Sequence, residues 1–449
     1  MSQYQVINPT TEAIHATYEL LTFKEVLPIL EVTHRRYLEW RMVPLDHRLT
    51  LVKAFADALE KNKVEYAKLM VNEMGKPLAQ GVAEIEKCVR LCLHYVEYTP
   101  HYLASRRIVS ESLHAEVHYE PLGVVLGIMP WNFPFWQVLR LAIPQLLAGN
   151  GFILKHAPQC FGTGRVLSEL FTDVGFPEGL FQDLMIDVDV IRDVIAHPVV
   201  VGVSLTGSQN AGRMVASSAG AHLKKVVLEL GGSDPYLVLS DADLEHAAGC
   251  IIASRLNNAG QVCVSAKRVI VVSEVLPDLV GLLKKLMDSF QLGPLARLDL
   301  RDVLHQQVLK SVKCGARLEL GGIIPQKTGF FYPPTLLTHV APGMPAFDEE
   351  LFGPVIAVIV AKDEQEAVTL ANQTCFGLGA AVFTQNESKG RLIAAQLNVG
   401  MCAVNDFVRS DPQLPFGGIK ESGFGRELSM EGMLSFVNVK SLMIGKNEP

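Results

Sequence analysis

The sequence predicts an α/β fold that is built on a buried parallel sheet. From residue 121 onward, apolar runs alternate with segments of helical length. Nearly continuous apolar runs are typical of strands that are covered on both faces, and right-handed helical crossovers connect such strands. The runs cover 124–129, 151–154, 200–205, 226–230 and 236–239, and the helices are expected over 134–149, 161–175, 189–197 and 209–222.

The regions on either side of this core have different patterns. Residues 46–75 and 81–104 carry the features of amphipathic helices, whereas residues 106–120 alternate apolar and polar side chains as a partly exposed strand does. A second α/β region begins near residue 232 and includes the apolar run 355–361. The tail 436–444 is strand-like, so we expect it to pair with the 106–120 segment as an extended arm.

Composition excludes several classes of protein. The 449 residues are 49% hydrophobic, which permits large buried cores and excludes a disordered or fibrous chain. The net charge of -7 and the absence of a long basic run argue against nucleic-acid binding. The longest uncharged stretch, 121–139, contains three prolines, which does not describe a membrane span. Eight scattered cysteines without a CxxC, together with a start that lacks a secretory signal, indicate reduced thiols and a cytoplasmic location.

Three side chains are candidates for covalent chemistry. Cys263 lies in GQVCVSAKR, where nearby cations favour a thiolate; the alternative is a small buried hydrophobic residue. Glu229 ends an apolar run before two glycines and is a candidate general base, or else a carboxylate that caps the next element. Asn132 lies in PWNFP, where a rigid amide can stabilise an oxyanion, although a turn asparagine is the commoner case.

Two further segments are candidates for binding a nucleotide. Lys155 ends a predicted strand, and Gly207-Ser208 opens a predicted helix whose free N–H groups suit a pyrophosphate. Neither GxGxxG nor a P-loop is present, and an ordinary turn between strand and helix is the alternative for both. His114 and His118 lie in a strand-like segment, so we expect no metal site.

Taken in order, the motifs resemble those of the NAD(P)-dependent aldehyde dehydrogenases over nearly the whole chain. They are PWNFP (130–134), Lys155, LTGS (205–208), LELGG (228–232), GQVCVSAKR (260–268), EELFGP (349–354), and PFGG with GFGRE (415–427). Each motif alone is weak evidence of a family, but seven in the same order and at similar spacing are specific. The resemblance implies a Rossmann-like parallel-sheet cofactor domain (1–105 and 121–230), an α/β catalytic domain (231–430) and a small β oligomerisation arm (106–120 and 431–449).

The resemblance also implies a role for each matching residue. Cys263 matches the nucleophile that attacks the aldehyde, Glu229 the base that activates water, and Asn132 an oxyanion donor together with the Cys263 N–H. Glu427 matches a secondary acid of the proton relay. The residues that match cofactor contacts are Trp131, Lys155, Gly207, Ser208, Glu350 and Phe352.

Within the family, the chain is most similar to the bacterial succinate-semialdehyde dehydrogenases. Arg140 matches an arginine that those enzymes place near the substrate carboxylate; the alternative is an interfacial helix arginine. Two departures are Asn257, where some members carry a second substrate arginine, and Ser265, where some carry a redox-switch cysteine. The segment 291–302 is also shorter than is usual in the family. A dehydrogenase for another ω-semialdehyde or a general aldehyde, and a non-catalytic descendant of the fold, remain alternatives.

The resemblance further implies NAD or NADP as cofactor, an aldehyde as the small-molecule partner, and a homodimer or homotetramer. NAD-selective relatives often carry a glutamate three residues after the strand-end lysine, where it repels the 2′-phosphate of NADP. That position is Pro158 here, and His156 is a candidate extra donor, so we expect NADP to be accepted.

Overall fold

The computed structural model describes residues 2–109 and 114–445, and it confirms the predicted α/β class. Its strands are β1 (Gln3–Ile7), β2 (Ile14–Glu19), β3 (Arg106–Val109), β4 (His114–Pro121), β5 (Val124–Met129), β6 (Gly151–His156), β7 (Phe181–Asp183), β8 (Val200–Thr206), β9 (Lys225–Glu229), β10 (Pro235–Val238), β11 (Arg268–Val272), β12 (Arg317–Leu320), β13 (Thr335–Thr338), β14 (Val355–Ala361), β15 (Gly379–Phe383), β16 (Met401–Val404), β17 (Gly423–Phe424) and β18 (Val437–Ile444).

Its helices include two that are 25 residues long or longer. The helices are α1 (Phe23–Trp40), α2 (Leu45–Met74), α3 (Leu78–Tyr102), α4 (Pro134–Ala148), α5 (Phe161–Asp173), α6 (Ile191–Ala196), α7 (Gln209–Ala221), α8 (Leu244–Arg255), α9 (Leu276–Asp288), α10 (Leu298–Lys313), α11 (Pro345–Asp348), α12 (Glu364–Asn372), α13 (Glu387–Ala394) and α14 (Ser429–Leu434). Short 3₁₀ turns lie at Pro158–Cys160, Asn257–Gly260, Ser273–Val275 and Lys420–Ser422.

A six-stranded sheet in the order β17-β9-β8-β5-β6-β7 forms the first layered unit. All its pairings are parallel except that of β17, which joins β9 in the antiparallel sense from far along the chain. The first predicted apolar run coincides with β5, and all six of its residues are buried. Because β5, β6, β8 and β9 are parallel neighbours, their carboxyl ends meet at one edge of the sheet.

A seven-stranded sheet in the order β12-β13-β14-β11-β10-β15-β16 forms the second unit. Only β12, at one edge, is antiparallel to its neighbour. The predicted run 355–361 is β14, which lies inside this sheet and is almost wholly buried. Parallel strands covered on both faces account for the unbroken apolar sequence.

The predicted pairing of the tail with the 106–120 segment is present. Strand β18 pairs with β4 in antiparallel register from Val437 opposite Pro121 to Ile444 opposite His114, and β3 pairs on the other side of β4. Residues 110–113 of the predicted arm, and 446–449 of its tail, lie outside the described residues. Most of β3 and β18 is exposed in the single chain.

Helix α4 follows β5 and is buried on every side. Apart from Gln137, Arg140 and Gln145, its residues are apolar, as expected for a helix that lies between other elements rather than at the surface. Arg140 lies within it and is 1% exposed. A buried guanidinium requires a counter-ion or hydrogen-bond acceptors from the surrounding protein.

The described residues do not meet the requirements of a membrane-spanning helix, a metal site or a disulfide. Among the described residues, no helix combines the length and the apolar character needed to cross a membrane. Residues 2–109 and 114–445 contain no group of three or more His, Cys, Asp or Glu side chains that is placed to hold a metal ion. All eight cysteines are free thiols.

The short segment 291–302 is anchored to its surroundings. The Ala296 N–H donates to the side chain of Gln261 at 2.9 Å, and the Leu295 N–H donates to the Phe330 carbonyl at 2.9 Å. Helix α10 then begins at Leu298. The segment therefore lies against the loop that carries Cys263 and supports it.

Candidate active site

The sequence-predicted residues of the first unit meet at one edge of its sheet. Asn132 follows β5, Lys155 lies near the end of β6, Gly207-Ser208 follows β8, and Glu229 is the last residue of β9. The strand register places Ile128 opposite Lys155 and Thr206 opposite Glu229, so these ends are adjacent. A parallel sheet collects ligand-binding groups at this edge.

The loop of residues 130–134 is held by its backbone. The ammonium of Lys76 and the side-chain amide of Asn258 both donate to the Asn132 carbonyl, each at 2.8 Å. His156 Nε2–H donates to the Pro134 carbonyl at 3.1 Å. Three separate regions of the chain therefore fix the position of Asn132.

A buried ion pair lies beneath this loop and was not found by sequence reasoning. Lys76 pairs with Glu84, and each side chain is 1% exposed. The other Glu84 oxygen accepts the N–H groups of Phe135 and Trp136 at 3.0 Å each, at the start of α4. Glu84 lies one turn before the buried Cys88 on α3, so a carboxylate on the apolar face of a predicted helix was the available signal.

The side chain of Asn132 points to the loop that carries Cys263. Its Nδ2 donates to the Gln261 carbonyl at 3.1 Å, two residues before the thiol. Cys263 is partly exposed and lines a cleft together with Val262, Arg140 and Phe416. The structure thus brings together the predicted nucleophile and the predicted oxyanion donor, although the roles themselves stay predictions.

The loop before Cys263 has an unusual backbone. Asn258, Ala259 and Gly260 have φ of +49°, +52° and +75° in succession. A Cβ atom at Gly260 would collide with the carbonyl group of Gly353, so only glycine fits there. Left-handed residues of this kind carry strain that the surrounding structure must offset.

Arg255 supplies much of that support. Its fully buried guanidinium donates to Gly260 O at 3.3 Å and to Ser265 Oγ at 2.8 Å. It also donates to Val355 O at 2.7 Å, which connects the loop to β14. Ser265, which replaces the second cysteine of some relatives, is therefore a structural hydrogen-bond partner.

The Cys263 thiol is held mainly in its neutral form in the absence of ligands. Burial raises the pKa of Cys263 to about 11, and the positive charges of Arg140 and Lys267 only partly oppose this. Lys267 Nζ donates to the Cys263 carbonyl at 2.6 Å, so it also fixes the backbone at the thiol. Nucleophilic attack requires the thiolate, so the proton must leave when substrate binds.

Glu229 is 2% exposed, and neither of its carboxylate oxygens has a hydrogen-bond partner among residues 2–109 and 114–445. Burial, reinforced by the neighbouring Glu427, raises its pKa well above the usual value. A Cβ atom at Gly417 would lie 2.6 Å from Glu229 Oε1, so the glycine leaves room for this side chain. An unsatisfied buried carboxyl group is costly and is a mark of functional sites.

Arg140 is occupied by protein groups. Its guanidinium forms a buried ion pair with Glu427 and donates to Thr206 Oγ1 at 3.2 Å. Ser204 Oγ donates to the other Glu427 oxygen at 3.0 Å, and the guanidinium lies 4.8 Å from the centre of the Phe416 ring. Arg140 does line the cleft, but contact with a substrate carboxylate stays a prediction that competes with this ion pair.

Glu350 and Phe352 lie on the opposite side, in the second unit. Lys267 Nζ pairs with Glu350 at 2.6 Å, and the Gly232 N–H donates to the same oxygen at 3.1 Å. The Phe352 ring meets the Trp131 ring edge to face at 5.7 Å. The two predicted cofactor contacts at 131 and 352 are therefore neighbours.

The Lys155 region differs in one respect from the sequence interpretation. Burial lowers the pKa of Lys155 to about 8, with Asp187 and Asp183 opposing the shift. His156 is fully buried, its ring hydrogen bonds go to Pro134 and Ala157, and burial lowers its pKa to about 4. The expectation that His156 adds a donor or a charge toward the cofactor is therefore wrong, because the next residue along a strand points to the opposite face.

Helix α7 begins in the predicted way. Ser208 is its N-cap, and Ser208 Oγ accepts the Ala211 N–H at 3.3 Å. Ser208 is exposed, and the preceding Gly207 is partly exposed. The helix has 13 residues, so its N-terminus presents the partial positive charge that suits a phosphate.

The comparisons with known proteins agree with this geometry. Residues 1–442 match the model of the aldehyde dehydrogenase family. The chain belongs to the aldehyde dehydrogenase family. The prediction of an NAD(P)-dependent aldehyde dehydrogenase is thereby confirmed, and the non-catalytic alternative is not needed to explain any residue of the site.

Individual relatives are similar along their full length. The chain is 43% identical to a succinate semialdehyde dehydrogenase [NAD(P)+] of Escherichia coli K12, over 97% of this chain and 98% of that protein. It is 40% identical to a probable succinate-semialdehyde dehydrogenase [NADP(+)] of Synechocystis, with 98% and 99% coverage. The structure of succinic semialdehyde dehydrogenase from Streptococcus pyogenes in complex with NADP+ superposes with a TM-score of 0.96 at 34% identity, over 99% of this chain and all of the other.

The buried pair beneath the loop generates a prediction. Replacing Glu84 with Leu leaves the Lys76 charge buried without a partner, so we expect a loss of about 3–5 kcal/mol in the free energy of unfolding. The double variant Lys76→Met, Glu84→Leu should recover much of that stability, since it leaves no unpaired charge. Its kcat should nevertheless stay low, because the loop carrying Asn132 has lost its ties.

Denaturant unfolding and steady-state aldehyde oxidation measure the two effects separately. A double variant with the stability and the kcat of the unmodified enzyme would show that the pair does not position the loop.

Proposed function

We propose that this aldehyde dehydrogenase oxidises succinate semialdehyde to succinate with NAD or NADP. The observation that carries the proposal is the cleft in which the Cys263 thiol lies among buried and partly buried cations. A cation-rich wall beside the nucleophile suits an aldehyde with a distant carboxylate. Relatives named as succinate-semialdehyde dehydrogenases, at about 40% identity over nearly the whole chain, support the same substrate.

The chemistry follows from three side chains. Cys263, as thiolate, adds to the aldehyde carbon, while Asn132 Nδ2–H and the Cys263 N–H stabilise the negative oxygen of the thiohemiacetal. A bound nicotinamide cofactor would supply the acceptor for the hydride that leaves the thiohemiacetal carbon as the thioester forms. Glu229, once deprotonated, takes a proton from the water that attacks the thioester, and the carboxylate product leaves with Cys263 restored.

The cofactor residues fit a dinucleotide by their chemistry. Lys155 and the N-terminus of α7 at Ser208 offer positive charge at the ends of β6 and β8, on either side of β5, and Gly207 leaves the backbone accessible. Trp131 and Phe352 provide apolar ring surfaces. Glu350 offers a carboxylate, already oriented by Lys267, that can accept hydrogen bonds from ribose hydroxyls.

The pairing of Arg140 favours a second candidate substrate class, a general aldehyde or a longer ω-semialdehyde. Arg140 is paired with Glu427, and Asn257 stands where some relatives carry a further arginine. A site without either arginine contact suits a general aldehyde or a longer ω-semialdehyde. The choice depends on whether another cation of the cleft binds the carboxylate.

The substrate test compares succinate semialdehyde with butanal, the uncharged aldehyde of equal chain length. One charge-assisted hydrogen bond contributes ~1.5–3 kcal/mol, so we expect kcat/KM to favour succinate semialdehyde by roughly 10- to 150-fold. Reduced cofactor is followed by absorbance. Equal values for the two aldehydes in the unmodified enzyme would favour the general-aldehyde alternative.

The separate roles proposed for Cys263 and Glu229 predict that their variants lose different steps of the reaction. Cys263→Ala should abolish turnover, because no other cysteine lines the described part of the cleft. Glu229→Gln has nearly the same shape and should slow thioester hydrolysis more than the first half-reaction, so a rapid burst of reduced cofactor should survive. Stopped-flow absorbance distinguishes the two variants, and full steady-state activity in Cys263→Ala would overturn the mechanism.

The cofactor proposal concerns Pro158, which begins the 3₁₀ turn after β6. Without a carboxylate at this position, Lys155 is free to attract the 2′-phosphate, so we expect kcat/KM with NADP to be at least comparable to that with NAD. Pro158→Glu should shift the preference toward NAD, chiefly by raising KM for NADP; Pro158→Gln is the uncharged control. A preference for NAD above about a hundredfold in the unmodified enzyme, a gap of ~2.7 kcal/mol, would contradict this interpretation.

We also propose the domain division 1–105 with 121–230 for cofactor, 231–430 for catalysis, and 106–120 with 431–449 as an oligomerisation arm. The six-stranded, seven-stranded and three-stranded sheets support it, although β17 contributes residues 423–424 to the cofactor sheet. The arm carries exposed apolar residues, among them Val109, Val439 and Met443. Exposed strands of this kind need a covering partner.

The arm therefore predicts a homodimer or homotetramer. Placing a charge on its apolar surface, as in Met443→Glu, should weaken assembly while the chain still folds, since that side chain is exposed in the single chain. Light scattering at micromolar concentration measures the mass. A monomeric unmodified protein would refute the proposed role of the arm.

A further inference from the structure

The cleft beside Cys263 is lined by four cationic side chains, and three of them have carboxylate partners. Lys76 pairs with Glu84, Arg140 with Glu427, and Arg409 with Asp406 at 2.7 Å. The fourth is Lys87, which forms no ion pair with any described residue. Lys87 therefore lacks a counter-ion among those residues, in the same cleft as the nucleophile, and the carboxylate of a substrate would supply one.

Two neutral groups, an indole ring and a hydroxyl, hold the Lys87 ammonium in place. Its Nζ lies 4.0 Å from the centre of the Trp136 ring and donates to Ser410 Oγ at 2.5 Å. The residue lies on α3 and is half-buried. The indole face and the hydroxyl orient the ammonium but leave its full charge to a ligand.

We propose that Lys87, assisted by Ser410, binds the distal carboxylate of the substrate and thereby sets the preference for an anionic aldehyde. The inference rests on the proposed function and names the group that carries its specificity. Arg140 then acts as a positioning residue, because its ion pair holds Glu427 beside Glu229 rather than a substrate oxygen.

Charge and burial support this assignment over the alternatives. A carboxylate that approached Arg140 or Lys76 would have to displace a buried carboxylate, which would then be left without a partner at a cost that the new contact does not offset. Arg409 is mostly exposed, so its contribution is screened by solvent. A carboxylate that approaches Lys87 displaces no other carboxylate, and the ammonium has N–H groups beyond the one that it donates to Ser410.

The environment of Lys87 makes its charge sensitive to pH in the working range. Burial lowers the pKa of Lys87 to about 8. The charged and titratable groups that face it are Glu84, Cys88 and Arg90 on its own helix and Arg140 on α4, and the loop at Ser410 adds the neighbouring Arg409. The ammonium is thus present below this pKa and is lost as the pH rises through it.

The experiment measures a selectivity ratio, kcat/KM for succinate semialdehyde divided by kcat/KM for its methyl ester, methyl 4-oxobutanoate. The ester has the same four-carbon chain but no charge. In Lys87→Met the ratio should fall by about 10- to 150-fold, the factor that corresponds to ~1.5–3 kcal/mol for one charge-assisted hydrogen bond. Lys87→Arg should retain most of the ratio, because it keeps the charge.

A matched control removes a cation from the same helix outside the cleft. Arg90 is exposed on α3 and does not line the cleft, although its charge lowers the pKa of Lys87. At about pH 7, where Lys87 is mostly protonated, Arg90→Met should therefore leave the ratio nearly unchanged. Turnover of the ester reports that each variant is folded. In the unmodified enzyme the ratio should also fall between about pH 7 and about pH 9.5, and this fall should be absent from Lys87→Met. Ionisation of Cys263 and Glu229 affects both substrates and cancels in the ratio.

The outcomes separate the inference from the function on which it rests. A high ratio in the unmodified enzyme that persists in Lys87→Met would overturn the role of Lys87 and leave succinate-semialdehyde oxidation standing. A ratio near one in the unmodified enzyme would overturn both. Loss of the ratio in Lys87→Met, with retention in Lys87→Arg and Arg90→Met, is the result we expect.

Discussion

The buried ion pair between Lys76 and Glu84 is the interaction on which the geometry of the active site depends. Its two charges lie where water cannot solvate them, so each must be satisfied by protein groups. Glu84 meets this requirement through the first N–H groups of α4, and Lys76 through the Asn132 carbonyl. Because the same two side chains neutralise each other and hold both the middle of the loop and the start of α4, movement of the loop would disturb a buried ion pair.

Other buried cations of the site also hold backbone or carboxylate groups in position while those groups stabilise their charge. Arg255 holds the strained turn before Cys263, Lys267 connects that loop to Glu350, and Arg140 is paired with Glu427. The scaffold therefore uses its buried cations to fix backbone and carboxylates. Among the described residues, the buried Glu229 carboxyl has no hydrogen-bond partner and Lys87 forms no ion pair. These two groups and the Cys263 thiol are the ones to which we assign a task toward the ligand.

The two proposed catalytic groups have pKa values raised by burial, so both are biased toward their protonated forms in the chain without ligands. A neutral thiol is less prone to oxidation and to attack on unintended electrophiles. Binding of a positively charged nicotinamide near Cys263 would favour the thiolate, and entry of water would favour ionised Glu229.

The sequence by itself determined the fold class and the family, and it predicted the residues of the site. Unbroken apolar runs located β5 and β14 within their sheets, because strands covered on both faces need no polar alternation. Short motifs with special backbone or chemical demands, such as PWNFP and the loop around Cys263, identified the chemistry. What only the tertiary structure decided was which charges neutralise one another. Glu84 and Lys87 lie on α3, and Lys76 lies in the loop before it; the local sequence there carries no catalytic motif. The pairing of Arg140 with Glu427 joins residues 287 positions apart through β17 and the loop beside it. Such pairings follow from desolvation, which depends on what surrounds a side chain in three dimensions and is not encoded by its neighbours in sequence.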